Sequence, residues 1–425
     1  MTIDNVSASH PIVKHDLGGS DLELSEYNAV APATYVPSAA NANVRQLVQA
    51  GTSVWLDDLS RDRLVSGNLA DLISWSGVVG VTTNPAIFSK AMTSGTSYDE
   101  QLAHLRAQGV SASDAVFTMA IDDVRDACDA LMDLYETSGG QDGRVSIEVD
   151  PRYAHDPEKT VQQAQDLWDR VGKPNAMIKI PATKQGLSAI TDSLARGISV
   201  NVTLIFSVER YKEVIVAFID GLERARSEGR DLSAIHSVAS FFVSRVDGAV
   251  DIKLAEIIAD PSTDFDLLKG MAGIHNAQLA YEAFQLAFGL RGPDGASSES
   301  DNLCTVAERW RHLAEAGAHV QRPLWASTSV KNSDYTPTLY TTELAGPLTV
   351  NTMPESTLEA LQSDGGVHGD ALTGRGDVAR AYFHKLESLG INFADVVNVL
   401  EDDGVAKFVE SWNELIANID SRLAS

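Results

Sequence analysis

The sequence is short of cysteine, of basic residues relative to acidic ones, and of long apolar runs, and each shortage closes off a class of function. Only two cysteines occur, Cys128 and Cys304, in separate segments of helical pattern without metal-ligand spacing. Neither a disulfide framework nor a zinc site is expected, and both read as ordinary core thiols. Lysine and arginine total 33 against 59 aspartates and glutamates, a formal net charge of −26. Such a surface repels phosphate backbones and argues against general nucleic-acid binding, so any phosphorylated substrate needs a local basic pocket. No apolar stretch approaches the roughly 20 residues of a membrane span. No Gly-x-Gly-x-x-Gly turn follows the first expected strand, which removes the usual mark of a dinucleotide-binding open sheet. Residues 1 to about 40 are polar and aperiodic, with neither the basic start nor the apolar core of a signal peptide. They read as a loosely ordered extension, and the cytoplasm is the expected compartment.

What is present is a regular alternation. Eight short apolar runs alternate with longer segments of helical period: "SVWLD" (53–57), "VVGVT" (78–82), "RVSIEV" (144–149), "AMIKI" (176–180), "ISVNVT" (198–203), "HSVAS" (236–240), "PLWAS" (323–327) and "LTVNT" (348–352). Between them lie amphipathic stretches such as "SVERYKEVIVAFIDGLERARSEG", with apolar residues at three- and four-residue spacing. Repeated strand–helix units imply a parallel sheet, and eight of them favour a closed (β/α)8 TIM barrel over an open sheet. The expectation is one barrel domain over residues 41–425, with an exposed Gly/Ser-rich loop near 289–302 and additional C-terminal helices packed across it.

Several of these strands carry a polar residue that propensity alone would not choose. Asp57 ends the first, Glu148 lies in the third, Lys179 in the fourth, Asn201 and Thr203 in the fifth, and Ser240 ends the sixth. Polar groups near the C-terminal ends of barrel strands converge on a site at that face. Lys179, between Ile178 and Ile180, is the sharpest case. A free lysine is neutral in only about 1 in 2,500 molecules at pH 7. Desolvation disfavours ammonium, so an apolar strand is a suitable place to present the nucleophilic amine of a Schiff base. The structural alternative is an ion pair between Lys179 and Glu148, with Asp57 as a cap and the small polar groups bonding nearby backbone. The combination of a lysine, two carboxylates and small polar groups on separate strands tips the weight toward a site. "GVTTNPAIF" adds Asn84, either an ordinary Asn-Pro turn or an amide aimed into the barrel mouth.

"GVTTNPAIF" and "MIKIPATKQG", supported by "RVSIEVDPR", "ISVNVTLIFS" and "SVASFFVSRVD" in order, resemble the signatures of the transaldolase family over residues 43 to the end. The first strand's "WLDD" is similar to that of the longer bacterial members. The resemblance implies a class I barrel enzyme of the pentose phosphate pathway, working without metal or organic cofactor on sugar phosphates. It would move a dihydroxyacetone unit from sedoheptulose 7-phosphate or fructose 6-phosphate to glyceraldehyde 3-phosphate or erythrose 4-phosphate. By motif, Lys179 resembles the Schiff-base lysine, and Glu148 the acid/base acting through a water held by Thr203. Asp57 resembles the carboxylate that takes the C4 hydroxyl proton. Asn84 and Asn201 resemble the amides on the three-carbon unit, and Ser240 and Phe242 line the pocket. Arg245 is placed like the family's phosphate arginine. After the seventh strand "WASTSVKN" lacks the usual arginine, so Ser327, Ser329 and Lys331 compete for that role. A monomer and a homodimer are both open. The rivals are a fructose 6-phosphate aldolase that releases free dihydroxyacetone, against which Glu148 argues, and a barrel that binds sugar phosphates without turnover.

Overall fold

A computed structural model of the chain describes residues 36–37, 40–257, 267–291 and 298–424. The extension expected over residues 1–40 lies almost wholly outside the described residues. The strands are β1 (Thr52–Leu56), β2 (Gly80–Val81), β3 (Arg144–Glu148), β4 (Ala176–Pro181), β5 (Val200–Ile205), β6 (Ser237–Phe242), β7 (Arg322–Ala326) and β8 (Thr349–Met353). Each pairs in parallel with the next, and β8 returns to β1 to close the barrel. Every expected run holds a strand, and the fold is the expected (β/α)8 barrel.

Period-two alternation explains how apolar strands carry polar residues. Ile178 and Ile180 are fully buried, as are Val200 and Val202 on the neighbouring strand. These side chains face the surrounding helices, each contributing about 1.5–3 kcal/mol of burial, while the residues between them face the barrel interior. Toward the strands' N-terminal ends the interior is closed by charge. Arg322 donates to Ser53 Oγ at 2.9 Å and to Asp142 Oδ1 at 3.0 Å, and Ser53 donates to the other Asp142 oxygen at 3.0 Å. This fully hydrogen-bonded ion pair leaves the opposite face free for chemistry.

Five details differ from the sequence expectation. The second run contributes only two ladder residues, and Gly80 is there because the Trp55 indole fills its place: an added Cβ would sit 2.5 Å from that ring. Strand β1 stops at Leu56, although the Asp57 N–H still bonds the Met353 carbonyl at 2.9 Å. Ser240 does not end β6, because Phe241 and Phe242 continue the pairing against Trp325 and Ala326. The loop expected over 289–302 falls partly outside the described residues, and from Ser298 the chain is already in the helix Ser298–Ala314. Cys128 is a buried thiol as expected, but Cys304 is only half-buried.

Three helices, Glu355–Asp364, Gly376–Ser388 and Phe393–Ala424, follow β8. The last packs on β5 and on segments that follow β2, β3 and β6, so it crosses the face where those strands end. Arg210 bonds Glu401 near its start at 3.2 Å, and Arg422 near its end bonds the Met92 carbonyl at 2.6 Å.

The barrel base generates a pH prediction. His236, just before β6, is buried and stacks on His319 with ring centroids 4.3 Å apart. Loss of solvent, then the charges of Arg144, His319 and Arg322, push its pKa well below the usual imidazole value. Below about pH 6.5 the unfolded chain therefore binds a proton that the folded chain refuses. This contribution is whole above that pH and drains as pH falls toward the depressed folded value. Glu148 and Asp247, both raised to about 7, act in the opposite sense, so the histidine is read as a difference. The unfolding free energy of the native chain minus that of His236→Gln, from urea titrations, should shrink from pH 7 to 5.5 by up to about 1.4 kcal/mol per unit. A constant difference would remove His236 as the source.

Candidate active site

Strand register assembles the centre of the site. Glu148 on β3 is paired with Lys179 on β4, and Lys179 with Asn201 on β5, so the three residues stand at one level on adjacent strands. Lys179 and Glu148 are each only 5% exposed. The Lys179 Nζ donates to the Thr83 carbonyl at 2.9 Å and lies 3.7 Å from Glu148 Oε2, an ion-pair separation longer than a hydrogen bond. The proposed ion-pair alternative is thus present in the geometry. A nucleophilic amine beside its proton carrier would look the same.

Both Glu148 oxygens, and Thr203 Oγ1, are buried without a hydrogen-bond partner in the protein. Burial pushes the Glu148 carboxyl up to about 7; the Lys179 charge opposes the shift and Asp57 adds to it. Near neutral pH this group exists in both protonation states, which suits one that must accept and return a proton. Asp57, half-buried one position beyond β1, accepts from Thr82 Oγ1 at 2.7 Å. Its carboxyl is also raised, chiefly by loss of solvent, against the pull of Lys179 and the Thr82 hydroxyl.

Asn201 is clamped. Its Nδ2 donates to Ser146 Oγ at 3.0 Å and its Oδ1 accepts from Ser240 Oγ at 2.7 Å, which fixes the amide's orientation. Asn84 serves two ends. Its Oδ1 caps the helix Pro85–Thr93 by accepting from the Ile87 N–H at 3.0 Å, with Pro85 at the first helical position. The same residue lines a cavity of about 10 Å³ together with Glu148, Phe117 and Trp412. The amide oxygen thus serves the local turn into the helix, and the residue still borders Glu148.

Arg245 lies in the first turn of the helix Ser244–Ile257, directly after β6. Its guanidinium carbon is 5.1 Å from the Phe242 ring centroid, and its Nη1 is buried without a hydrogen-bond partner. The candidates after β7 divide. Ser327, in a left-handed conformation at φ 56°, shares a 2.9 Å hydrogen bond with Ser244, Arg245's neighbour. Lys331 is exposed and donates to Ser329 Oγ at 2.7 Å. Sequence reasoning missed Ser146, Thr82, Ser244 and the Thr83 carbonyl as supports. All four lie within the motifs above, but only the fold could show what they hold. Among the described residues, no group of three His, Cys, Asp or Glu side chains is placed to hold a metal ion.

The model of the family described as Transaldolase/Fructose-6-phosphate aldolase matches residues 54–419. The chain belongs to that family. It is 54% identical over 386 residues to the transaldolase of Mycobacterium bovis (strain BCG / Pasteur 1173P2), covering 91% of this chain and 98% of the relative. To the transaldolase of Mycobacterium tuberculosis (strain ATCC 25618 / H37Rv) it is 53% identical over 386 residues, with the same coverage of 91% and 98%. To that of Mycolicibacterium smegmatis it is 53% identical over 378 residues, 89% of this chain and 96% of the relative. Family and geometry meet at one place, since all eight strands and the residues from Asp57 to Lys331 lie within the matched span apart from the first two residues of β1.

The raised carboxyl at position 148 makes the pH profile diagnostic. Glu148→Gln should lower kcat by about 10²–10⁴-fold and erase the limb of the kcat/KM profile near pH 7. A variant that kept that limb would place the titrating group elsewhere.

Proposed function

We propose that the chain is a transaldolase in which Lys179 carries the three-carbon unit, Glu148 moves the protons of imine chemistry and Asp57 serves the carbon–carbon cleavage. The observation that carries this reading is the register pairing of Glu148 with Lys179 at 3.7 Å inside a dry barrel mouth, in a chain more than half identical to proteins named transaldolase.

The neutral Lys179 amine attacks the ketose C2 carbonyl. The oxygen leaves as water with protons supplied through Glu148, giving a protonated imine. Asp57 then takes the C4 hydroxyl proton, the C3–C4 bonding pair moves into the imine to leave a neutral enamine, and an aldose phosphate departs. The enamine carbon attacks the acceptor's aldehyde, and the sequence runs in reverse to hydrolysis. In this reading Asn84 and the clamped Asn201 amide orient the hydroxyls of the tethered fragment. Thr203, two residues along β5 from Asn201, supplies a hydroxyl for a water at Glu148. Ser240 and Phe242 form the wall on the β6 side.

Sugar phosphates fit the family, and Arg245 supports phosphate recognition here. A guanidinium in a mostly buried setting, with one nitrogen unpaired, matches the bidentate geometry of phosphate. Ser327, bonded to Ser244, is favoured as its companion over Ser329 and Lys331, because it adjoins Arg245's own turn. The lyase alternative is disfavoured by Glu148 and by the relatives' names. In the described residues no helix is long and apolar enough to cross a membrane.

Borohydride reduction with fructose 6-phosphate, followed by mass spectrometry, tests this directly. The chain should gain one three-carbon adduct on Lys179, erythrose 4-phosphate or glyceraldehyde 3-phosphate added before the borohydride should discharge the unreduced intermediate and lower the yield, and Lys179→Ala should gain none. Release of free dihydroxyacetone at the same rate without an acceptor would instead make the enzyme a lyase.

A further inference from the structure

Three residues spaced one turn apart on the helix Phe393–Ala424 run across the barrel mouth: Gly404, Phe408 and Trp412, all buried. Gly404 is a close-approach glycine, since a Cβ there would lie 3.1 Å from Phe206. Phe206 packs on Phe242 with centroids 5.1 Å apart, and Arg245 rests on Phe242 at 5.1 Å. Phe408 completes the chain of contacts, its ring centroid 5.9 Å from the Arg245 guanidinium carbon. Trp412 packs on Phe117 at 4.9 Å beside the Glu148 cavity. The helix is tied near both ends, by Arg210–Glu401 and by Arg422, so this face is held against the site.

What fixes Arg245 is unusual for a mostly buried guanidinium. Among the described residues no carboxylate lies within ion-pair distance of it; Asp57 acts on it only as a nearby charge. Two aromatic rings touch it instead, one from β6 and one from the C-terminal helix. A ring face attracts the cation and restricts its plane without using up its N–H donors.

We propose that Phe408 is a positioning residue for phosphate recognition. Its ring holds the Arg245 guanidinium away from the Asp57 carboxylate, leaving the free Nη1 to the phosphate of the sugar. The proposal rests on Arg245 being the phosphate arginine, and the test separates the two. Phe408→Met keeps side-chain bulk and removes the π face; Phe408→Tyr keeps the face; Arg245→Gln removes the cation; Phe408→Leu serves as a second substitution should the methionine variant not fold. The measurements are KM and kcat for fructose 6-phosphate, and the competitive inhibition constant of inorganic phosphate.

Phe408→Met should raise KM and the phosphate inhibition constant together, by roughly three- to thirtyfold, with a smaller change in kcat, and Phe408→Tyr should restore both. If Arg245→Gln raises the phosphate constant while the methionine and leucine variants do not, the positioning role is overturned and the phosphate arginine stands. A tyrosine variant as weak as the methionine one also overturns it, because the ring face would then be irrelevant. If Arg245→Gln leaves phosphate inhibition unchanged, the phosphate reading of Arg245 falls and the proposal falls with it.

Discussion

One constraint governs the rest of the molecule: an amine and a carboxyl on adjacent strands must share a space from which water has been removed. Removing both from water costs several kcal/mol per ion, and a 3.7 Å separation recovers only part of that cost. A chain selected for stability alone would do as well with an apolar pair. The retention of both groups makes sense if the chemistry they carry is the point. The Glu148 carboxyl, raised to about 7 by burial, is the consequence, and the Thr83 carbonyl at 2.9 Å from Nζ holds the amine's position.

From that constraint follows the division of the barrel into two ends. At the N-terminal end Arg322, Asp142 and Ser53 bond one another across the interior, although Arg144 Nη2 at the start of β3 is buried without a protein partner. At the other end, Glu148, Thr203 and Arg245 keep buried polar atoms without protein partners. Unsatisfied buried polar atoms are costly in a fold and useful in a site, where a substrate or water supplies the missing bonds. The Arg322–Asp142 pair helps the other end carry such atoms, because it ties the strands together at a place remote from that end.

The sequence made the strands legible because period two and period 3.6 are both strong in it, and eight alternations leave few topologies. It also exposed the core of the site: a lysine between isoleucines, or an asparagine in "SVNVT", contradicts its surroundings enough to be noticed. Supports such as Ser146 and Ser244 escaped because a serine on a strand or at a helix start contradicts nothing. Their part comes from partners 55 and 83 residues away in the chain, Asn201 and Ser327. Phe408 escaped for a similar reason. On a helix of apolar period it reads as core packing, and only the crossing of that helix over the barrel brings it to Arg245.

The acidic surface makes the phosphate end a problem of contrast. A net charge of −26 repels a doubly charged sugar phosphate at long range, though salt screens this beyond about 8 Å. Attraction must therefore be local and strong, which favours one desolvated guanidinium over several solvated lysines: at low effective dielectric the same charge acts severalfold more strongly. Arg245, enclosed by Phe242 and Phe408, meets that requirement, whereas the exposed Lys331 does not. The absence of an arginine after β7 then needs no compensating cation, provided the rings keep Arg245 from turning inward to Asp57. On the proposed reading the C-terminal helix belongs to the recognition machinery as much as to the fold, since it supplies one of those rings.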